Sequence, residues 1–293
     1  MGRVWAGVED LRRILLVLDA IKFEHTVFAL PFAYIGMVLA AGGVFTWWQV
    51  LWITVAMAGA RTLAMATNRV IDRHLDAMNP RTSARALPTG RIAPRDMALL
   101  AAVGMAALVV AAAQLNDLCL KLLPIAAVVL VGYNYTKRFT WASHFVLGFA
   151  DGMAPVGGWI AITGSLDMAA ALLGFAVMFW IGGFDMIYAC QDIAFDRRQG
   201  LYSIPAQFGV TAGLWASAAS HVLTVALLAA VGLLLGLGIW YWVGLAITAG
   251  LLIYEHSLVR PDDLSRLDVA FFNMNGYIAV TMFVFALAAV YSK

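Results

Sequence analysis

Long apolar runs separated by short polar junctions make up almost the whole chain. A membrane span needs about 20 predominantly apolar residues. Runs of that kind lie near 25–43, 48–69, 97–115, 119–136, 142–163, 168–190, 212–236, 239–258 and 269–290. The pattern predicts an all-α protein, a polytopic membrane bundle of nine transmembrane helices. The longest polar stretch runs from about Arg69 to Asp96, too short for a soluble domain, so residues 1–293 read as one integral-membrane domain. Residues 1–24 differ. Leu11, Leu15, Leu18 and Ile21 share one helical face, while Glu9, Asp10, Arg12, Arg13, Asp19 and Lys22 do not suit a signal peptide. This segment reads as a cytoplasmic lead-in helix, lying at the membrane surface or simply solvated.

Composition settles the solvent. Hydrophobic residues are 63% of the chain and charged residues 12%, with a mean hydropathy of +0.85. A soluble domain carries about 45–50% apolar and about 25% charged residues, so this surplus belongs in a bilayer. A formal net charge of +2 gives no electrostatic case for nucleic acid. Cys119 and Cys190 fall in separate runs, without disulfide or zinc-site spacing.

The Lys and Arg residues set the orientation. Arg3, Arg12, Arg13 and Lys22 precede the first run, and Arg69, Arg73, Arg81, Arg85, Arg91 and Arg95 separate the second from the third. Lys137, Arg138, Arg197, Arg198, Arg260 and Arg266 mark later alternate junctions, while the opposite side holds Lys121 and Lys293. By the positive-inside rule the N-terminus and long loops are cytoplasmic, and nine spans leave the C-terminus outside. The expected location is the cytoplasmic membrane of a prokaryote.

Two acidic motifs sit at cytoplasmic ends of even-numbered spans. Asn68, Asp72 and Asp76 are four apart, as are Asp192 and Asp196, with Tyr188 and Asp185 one and two turns earlier. On a helix such spacing stacks the side chains on one face, where like charges repel. Two such pairs at one membrane level point to a shared cation. The ligands are oxygens, which suits Mg²⁺, and Mg²⁺ leaves positions open for substrate phosphate. Solvated helix ends balanced by Arg69, Arg73, Arg197 and Arg198 would explain either motif alone, but two at equivalent ends less well. Arg61, seven residues before Asn68, must face a polar cavity rather than lipid, because an unpaired intramembrane Arg costs at least ~2.5 kcal/mol. Tyr133 and Lys137 are again four apart, followed by Arg138, which also fits a positive anchor at the interface.

These residues resemble the UbiA superfamily of intramembrane prenyltransferases. The likeness rests on nine spans and on Asn68–Asp76 running into Asn79-Pro80-Arg81-Thr82. It extends to Tyr133 with Lys137, to Asp192–Asp196 continuing as Gly200-Leu201-Tyr202-Ser203-Ile204-Pro205, and to Lys22-Phe23-Glu24-His25-Thr26. The resemblance implies a helical bundle around a central cavity, open sideways to lipid. It also implies Mg²⁺-dependent transfer of a prenyl chain from a polyprenyl diphosphate. Asn68, Asp72, Asp76, Asp192 and Asp196 would form the metal–diphosphate set. Lys137, Arg138, Arg61 and Tyr133 would bind diphosphate, and Asp185 and Tyr188 would serve the acceptor.

The wording is nearest the 4-hydroxybenzoate polyprenyltransferase-like group, which implies an aromatic hydroxy acid acceptor in ubiquinone or menaquinone synthesis. Some members of that group are linked to the futalosine route and 1,4-dihydroxy-6-naphthoate. Tyr202 stands where better-known hydroxybenzoate enzymes carry Lys, a departure that bears on the acceptor. No obligate protein partner is implied. A transporter using Asp151, Asp185 and Arg61 is the rival from another class. A carrier would place its charged site near the midplane, whereas here the acids gather at one face.

Overall fold

The computed structural model describes residues 16–17, 19–21, 24–267 and 274–292, with backbone alone for 24–29. Its long helices are α1 (Glu24–Ala41), α2 (Trp47–Met78), α3 (Pro94–Leu115), α4 (Asp117–Thr136), α5 (Ser143–Thr163) and α6 (Met168–Ala189). After a 3₁₀ turn at Cys190–Asp192 come the short helices α7 (Ile193–Gln199) and α8 (Ile204–Phe208), then α9 (Val210–Leu234), α10 (Ile239–Ser257) and α11 (Asn275–Tyr291). Among the described residues every element is helical, apart from an isolated bridge between Arg260 and Asp263. Among the described residues, six segments are long and apolar enough to cross a membrane: Trp47–Met78, Pro94–Leu115, Asp117–Thr136, Ser143–Thr163, Met168–Gln199 and Val210–Leu234. The protein is an integral membrane protein.

The lead-in helix expected over 1–24 lies mostly outside the described residues. Of its described part, Ile21 is buried, and the Ala20 carbonyl accepts a hydrogen bond from Arg69 Nε at 2.8 Å.

Helix boundaries follow local chemistry. At the start of α2, Thr46 and Gln49 form a reciprocal capping box. Asn116 caps α4 by accepting from the Cys119 N–H at 3.0 Å. Gly42 and Gly43 turn the chain from α1 into α2 with φ of 55° and 88°, which L side chains adopt only under strain. With 32 residues, α2 is about 48 Å long and exceeds the ~30 Å hydrocarbon layer. Its polar last turns, past the apolar run 48–69, continue as helix, as the four-residue spacing of the acidic motif expects, and carry Asp72 and Asp76.

Close helix approach depends on missing side chains. A Cβ on Gly158 of α5 would collide with the Ala33 carbonyl of α1, and one on Gly36 would collide with the Pro155 carbonyl. Gly157, next door, meets nothing within 4 Å and lines the central cavity. Ile35, Leu39, Trp159, Leu173, Leu228, Val231, Tyr241 and Met282 form a core joining α1, α5, α6, α9, α10 and α11. By contrast, the buried residues of α4 are Leu130, Asn134 and Thr136. A cavity lies where that packing is missing.

Candidate active site

The cavity, of about 1060 Å³, is lined mainly by α2–α6 and by the segments after α2 and α6. Its lining changes character along its length. The polar end is made by Asn68, Asp72 and Asp76, by Asn79, Arg81 and Arg85 from the loop after α2, and by Lys137, Asp192 and Asp196. The other end is apolar, with Ile53, Met57, Leu108, Leu115, Leu122 and Ile160. On α2, Ile53 and Asp72 are nineteen residues apart, about 28 Å along the axis.

At the polar end each motif is charge-balanced from elsewhere in the chain. Asp72 is 3% exposed. It accepts from Lys137 Nζ at 2.5 Å, Arg138 Nη2 at 2.8 Å and Asn68 Nδ2 at 3.2 Å. Asn68 Nδ2 also donates to Asn134 Oδ1 at 2.9 Å. Arg85 Nη1 contacts both oxygens of Asp76, at 2.8 and 2.9 Å. These cations remove the repulsion that the four-residue spacing would otherwise impose.

The second motif is tied to the first. Arg81 donates to both Asp192 oxygens, Nη2 at 2.6 Å and Nε at 3.2 Å, and Asn79 Nδ2 adds a third bond at 3.1 Å. Such bidentate pairing is stronger and more directional than a single contact. Burial alone would lower the Arg81 pKa, but its bonds to Asp192 and that carboxylate's charge outweigh this and raise it. Arg81 Nη1 also donates to the Tyr188 hydroxyl at 2.8 Å. The 3₁₀ turn at Cys190–Asp192 interrupts the helix expected through the motif, and Asp192 becomes the N-cap position of α7. Both Asp192 and Asp196 still line the cavity. The Ser203 hydroxyl lies 3.4 Å from Asp196 Oδ2.

Between the two ends lies a polar belt of Arg61, Tyr133, Asp151, Asp185 and Tyr188. Arg61 sits seven residues before Asn68, about 10 Å deeper along α2 than that residue. It interacts by charge with Asp151, and its Nε is buried without a hydrogen-bond partner. His144 Nδ1 lies 2.7 Å from Asp185 Oδ2. Arg138 is not among the residues lining the cavity. Its guanidinium is held by Asp72, the Ile71 carbonyl and the Asn134 carbonyl, which makes it a clamp on Asp72.

Sequence reasoning did not single out His144 or Asn134; Arg81 and Ser203 entered as members of the resemblance motifs without a role of their own, and Arg85 as loop charge. An intramembrane His level with Asp185 is the one signal that could have drawn attention to the first of these.

Residues 29–291 match the UbiA prenyltransferase family. The chain belongs to that family. This UbiA-family prenyltransferase is 33% identical over 218 residues to a 4-hydroxybenzoate octaprenyltransferase of Thiobacillus denitrificans, covering 74% of each chain. A solved apo structure of a UbiA homolog from Aeropyrum pernix K1 is 34% identical, with a TM-score of 0.83 over 90% of this chain and 98% of that one. A UbiA homolog from Archaeoglobus fulgidus, solved bound to GPP and Mg²⁺, shares the fold at a TM-score of 0.71 and 18% identity, over 94% and 99% of the two chains.

The residues present suit a magnesium ion. Among the described residues no three acidic, Cys or His side chains converge as a ready-made cage. Mg²⁺ does not need one, because it takes one or two carboxylates and completes its shell with water and phosphate. Asp72, Asp76, Asp192 and Asp196 offer hard oxygen donors at one end of one cavity.

Proposed function

We propose that the protein transfers a polyprenyl chain from polyprenyl diphosphate to the ring of an aromatic hydroxy acid, with Mg²⁺ held between the two acidic motifs. The observation that carries this reading is one cavity with an acid-and-cation end and a long apolar end. A diphosphate with a hydrocarbon tail has that division. The nine long helices and the positive charge on alternate junctions support nine spans in the cytoplasmic membrane, with the acidic end facing the cytoplasm.

Asn68, Asp72, Asp76, Asp192 and Asp196 hold the metal and diphosphate. When bound, Mg²⁺ supplies charge neutralisation for the departing diphosphate. Lys137, Arg81 and Arg85, which balance the carboxylates in this structure, turn their donors to phosphate oxygens. Tyr133, which lines the same cavity, adds a hydroxyl for the diphosphate. The apolar walls below keep water away from the allylic cation formed as the C–O bond breaks. Deeper in the cavity, the orphaned Nε of Arg61 suits an anionic group, and since Arg pairs with phosphate and carboxylate alike, its distance from the acidic end favours the acceptor's carboxylate over the diphosphate. Asp185 and Tyr188 face the acceptor from α6.

Quinone synthesis is the setting this chemistry supports, with 4-hydroxybenzoate as the first acceptor. Tyr202, which lines the cavity, favours testing 1,4-dihydroxy-6-naphthoate beside it. The test supplies purified protein in liposomes with Mg²⁺ and a polyprenyl diphosphate, and identifies products by mass spectrometry. A Mg²⁺-dependent prenylated acid is expected, and the preferred acceptor names the quinone. Diphosphate bound or released without a product would discard these acceptors. Absence of diphosphate binding would return the transporter reading.

A further inference from the structure

The side chain of His144 touches two segments that the reaction needs aligned. It is the second residue of α5 and only 2% exposed. Nδ1 lies 2.7 Å from Asp185 Oδ2, and Nε2 lies 3.2 Å from the backbone nitrogen of Ile204. A backbone N–H can only donate, so Nε2 is the lone-pair nitrogen. The ring proton of the neutral imidazole is then on Nδ1 and is donated to Asp185. The ring holds one oxygen of Asp185 and leaves the other for the cavity that Asp185 lines.

The contact at Ile204 reaches further. Ile204 opens α8, directly after Ser203, whose hydroxyl lies 3.4 Å from Asp196 Oδ2. One residue earlier, the Tyr202 N–H donates to the Lys137 carbonyl at 2.7 Å. A single imidazole thus connects the acceptor-side carboxylate to the loop bracing the second acidic motif.

We propose that His144 is a positioning residue, orienting Asp185 to take the ring proton and keeping it in register with the diphosphate end. The proposal rests on the prenyl-transfer reading above. In that reaction the C–O bond of the prenyl diphosphate breaks and its electrons leave with diphosphate. A ring carbon of the acceptor bonds to the prenyl C1. The hydrogen on that ring carbon passes as a proton to the Asp185 carboxylate, and the C–H electrons restore the aromatic ring.

Three variants separate positioning from simple packing. H144N keeps a donor near the Nδ1 position, H144Q reaches toward Ile204 but not Asp185, and H144L offers neither. Steady-state transfer with 4-hydroxybenzoate should show kcat lowered about 10- to 100-fold in H144Q and H144L, part of the 10²–10⁴ that a positioned base contributes. H144N, which keeps the Asp185 donor but loses the Ile204 contact, should fall between these variants and the wild type. KM for the prenyl diphosphate, and diphosphate binding measured by calorimetry, should not change in any of them. Adding D185N to H144L should cost little more than D185N alone, because residues acting as a unit are non-additive. Equal losses in all three variants that follow their Tm would overturn the proposal, as would full activity in H144L. A wild-type protein that prenylates neither acid overturns the functional reading and this proposal with it, whereas an active wild type with an unimpaired H144L overturns this proposal alone.

Discussion

Helices α6 and α4 represent two ways of using the same apolar composition. In α6 and its continuation 56% of the most hydrophobic window is buried against neighbours, and in α4 the figure is 11%. Around α6 the interior is closed with matched side chains and includes hydrogen-bonded polar pairs. Tyr241 donates to the Leu228 carbonyl at 2.8 Å, and His221 Nδ1 meets His256 Nε2 at 3.0 Å. Neither pair lines the cavity. Around α4 the interior is left open, and its polar groups point at each other across a space large enough for substrate. The compact side holds the shape, and the open side uses it. A substitution on the compact side should act mainly on stability, and one on the open side mainly on turnover.

The strongest test of that division is at the acidic end. Asp72→Ala or Asp192→Ala should lower prenyl transfer by at least ~10²–10³-fold, the scale of losing one preorganised charge-stabilising group. The purified variants should remain folded and membrane-inserted, since neither change opens a core cavity. Normal turnover in either would remove these carboxylates from the mechanism.

Adjacent glycines give a sharper contrast with a smaller effect. Gly158→Ala drives a methyl group into the Ala33 carbonyl and should cost about 1–3 kcal/mol, the usual penalty for overpacking. Gly157→Ala meets open space and should be neutral or stabilising by up to about 1 kcal/mol, because Ala favours helix over Gly. Thermal unfolding in one detergent distinguishes them, and equal Tm values would dissolve the distinction between the two faces of α5.

The smallest effect is expected at Asp151→Asn. If Asp151 chiefly offsets the charge of Arg61, activity should fall less than about tenfold, below about 1.4 kcal/mol of barrier. Complete loss with normal expression would move Asp151 into the reacting set.

Much of this architecture was legible in the order of residues. Among the described residues nine helices are long; eight fall where apolar runs of bilayer length predict them, apart from the extra turns of α2, and the described part of α11 falls within the ninth run and one residue past it. Those turns fall outside the apolar run because Arg69, Asp72 and Asp76 are polar, yet all three are buried and paired within the protein: Arg69 with the Ala20 carbonyl, Asp72 with Lys137 and Arg138, and Asp76 with Arg85. The acidic motifs were visible because four-residue spacing has a meaning on a helix. What pairs with them was not, since Arg81 finds Asp192 across 111 positions and His144 finds Asp185 across 41. Local periodicity carries no information about such partners. The Gly157-Gly158 pair shows the same limit, because nothing in the sequence distinguishes the two and only Gly158 meets a neighbouring backbone.

The Arg81–Asp192 bridge also has a meaning in time. Arg85 follows Asp76 by nine residues and Lys137 follows Asp72 by 65, so the first motif acquires its counter-charges early in synthesis. Asp192 emerges 111 residues after Arg81, about 5–20 s later at ordinary elongation rates of roughly 5–20 residues per second. Until then the loop after α2 has no carboxylate from the second motif to hold, and the mouth of the nascent cavity stands unlatched. The ribosome therefore makes one half of this clasp with the loop after α2, and the other half more than a hundred residues later, once α3–α6 have been made.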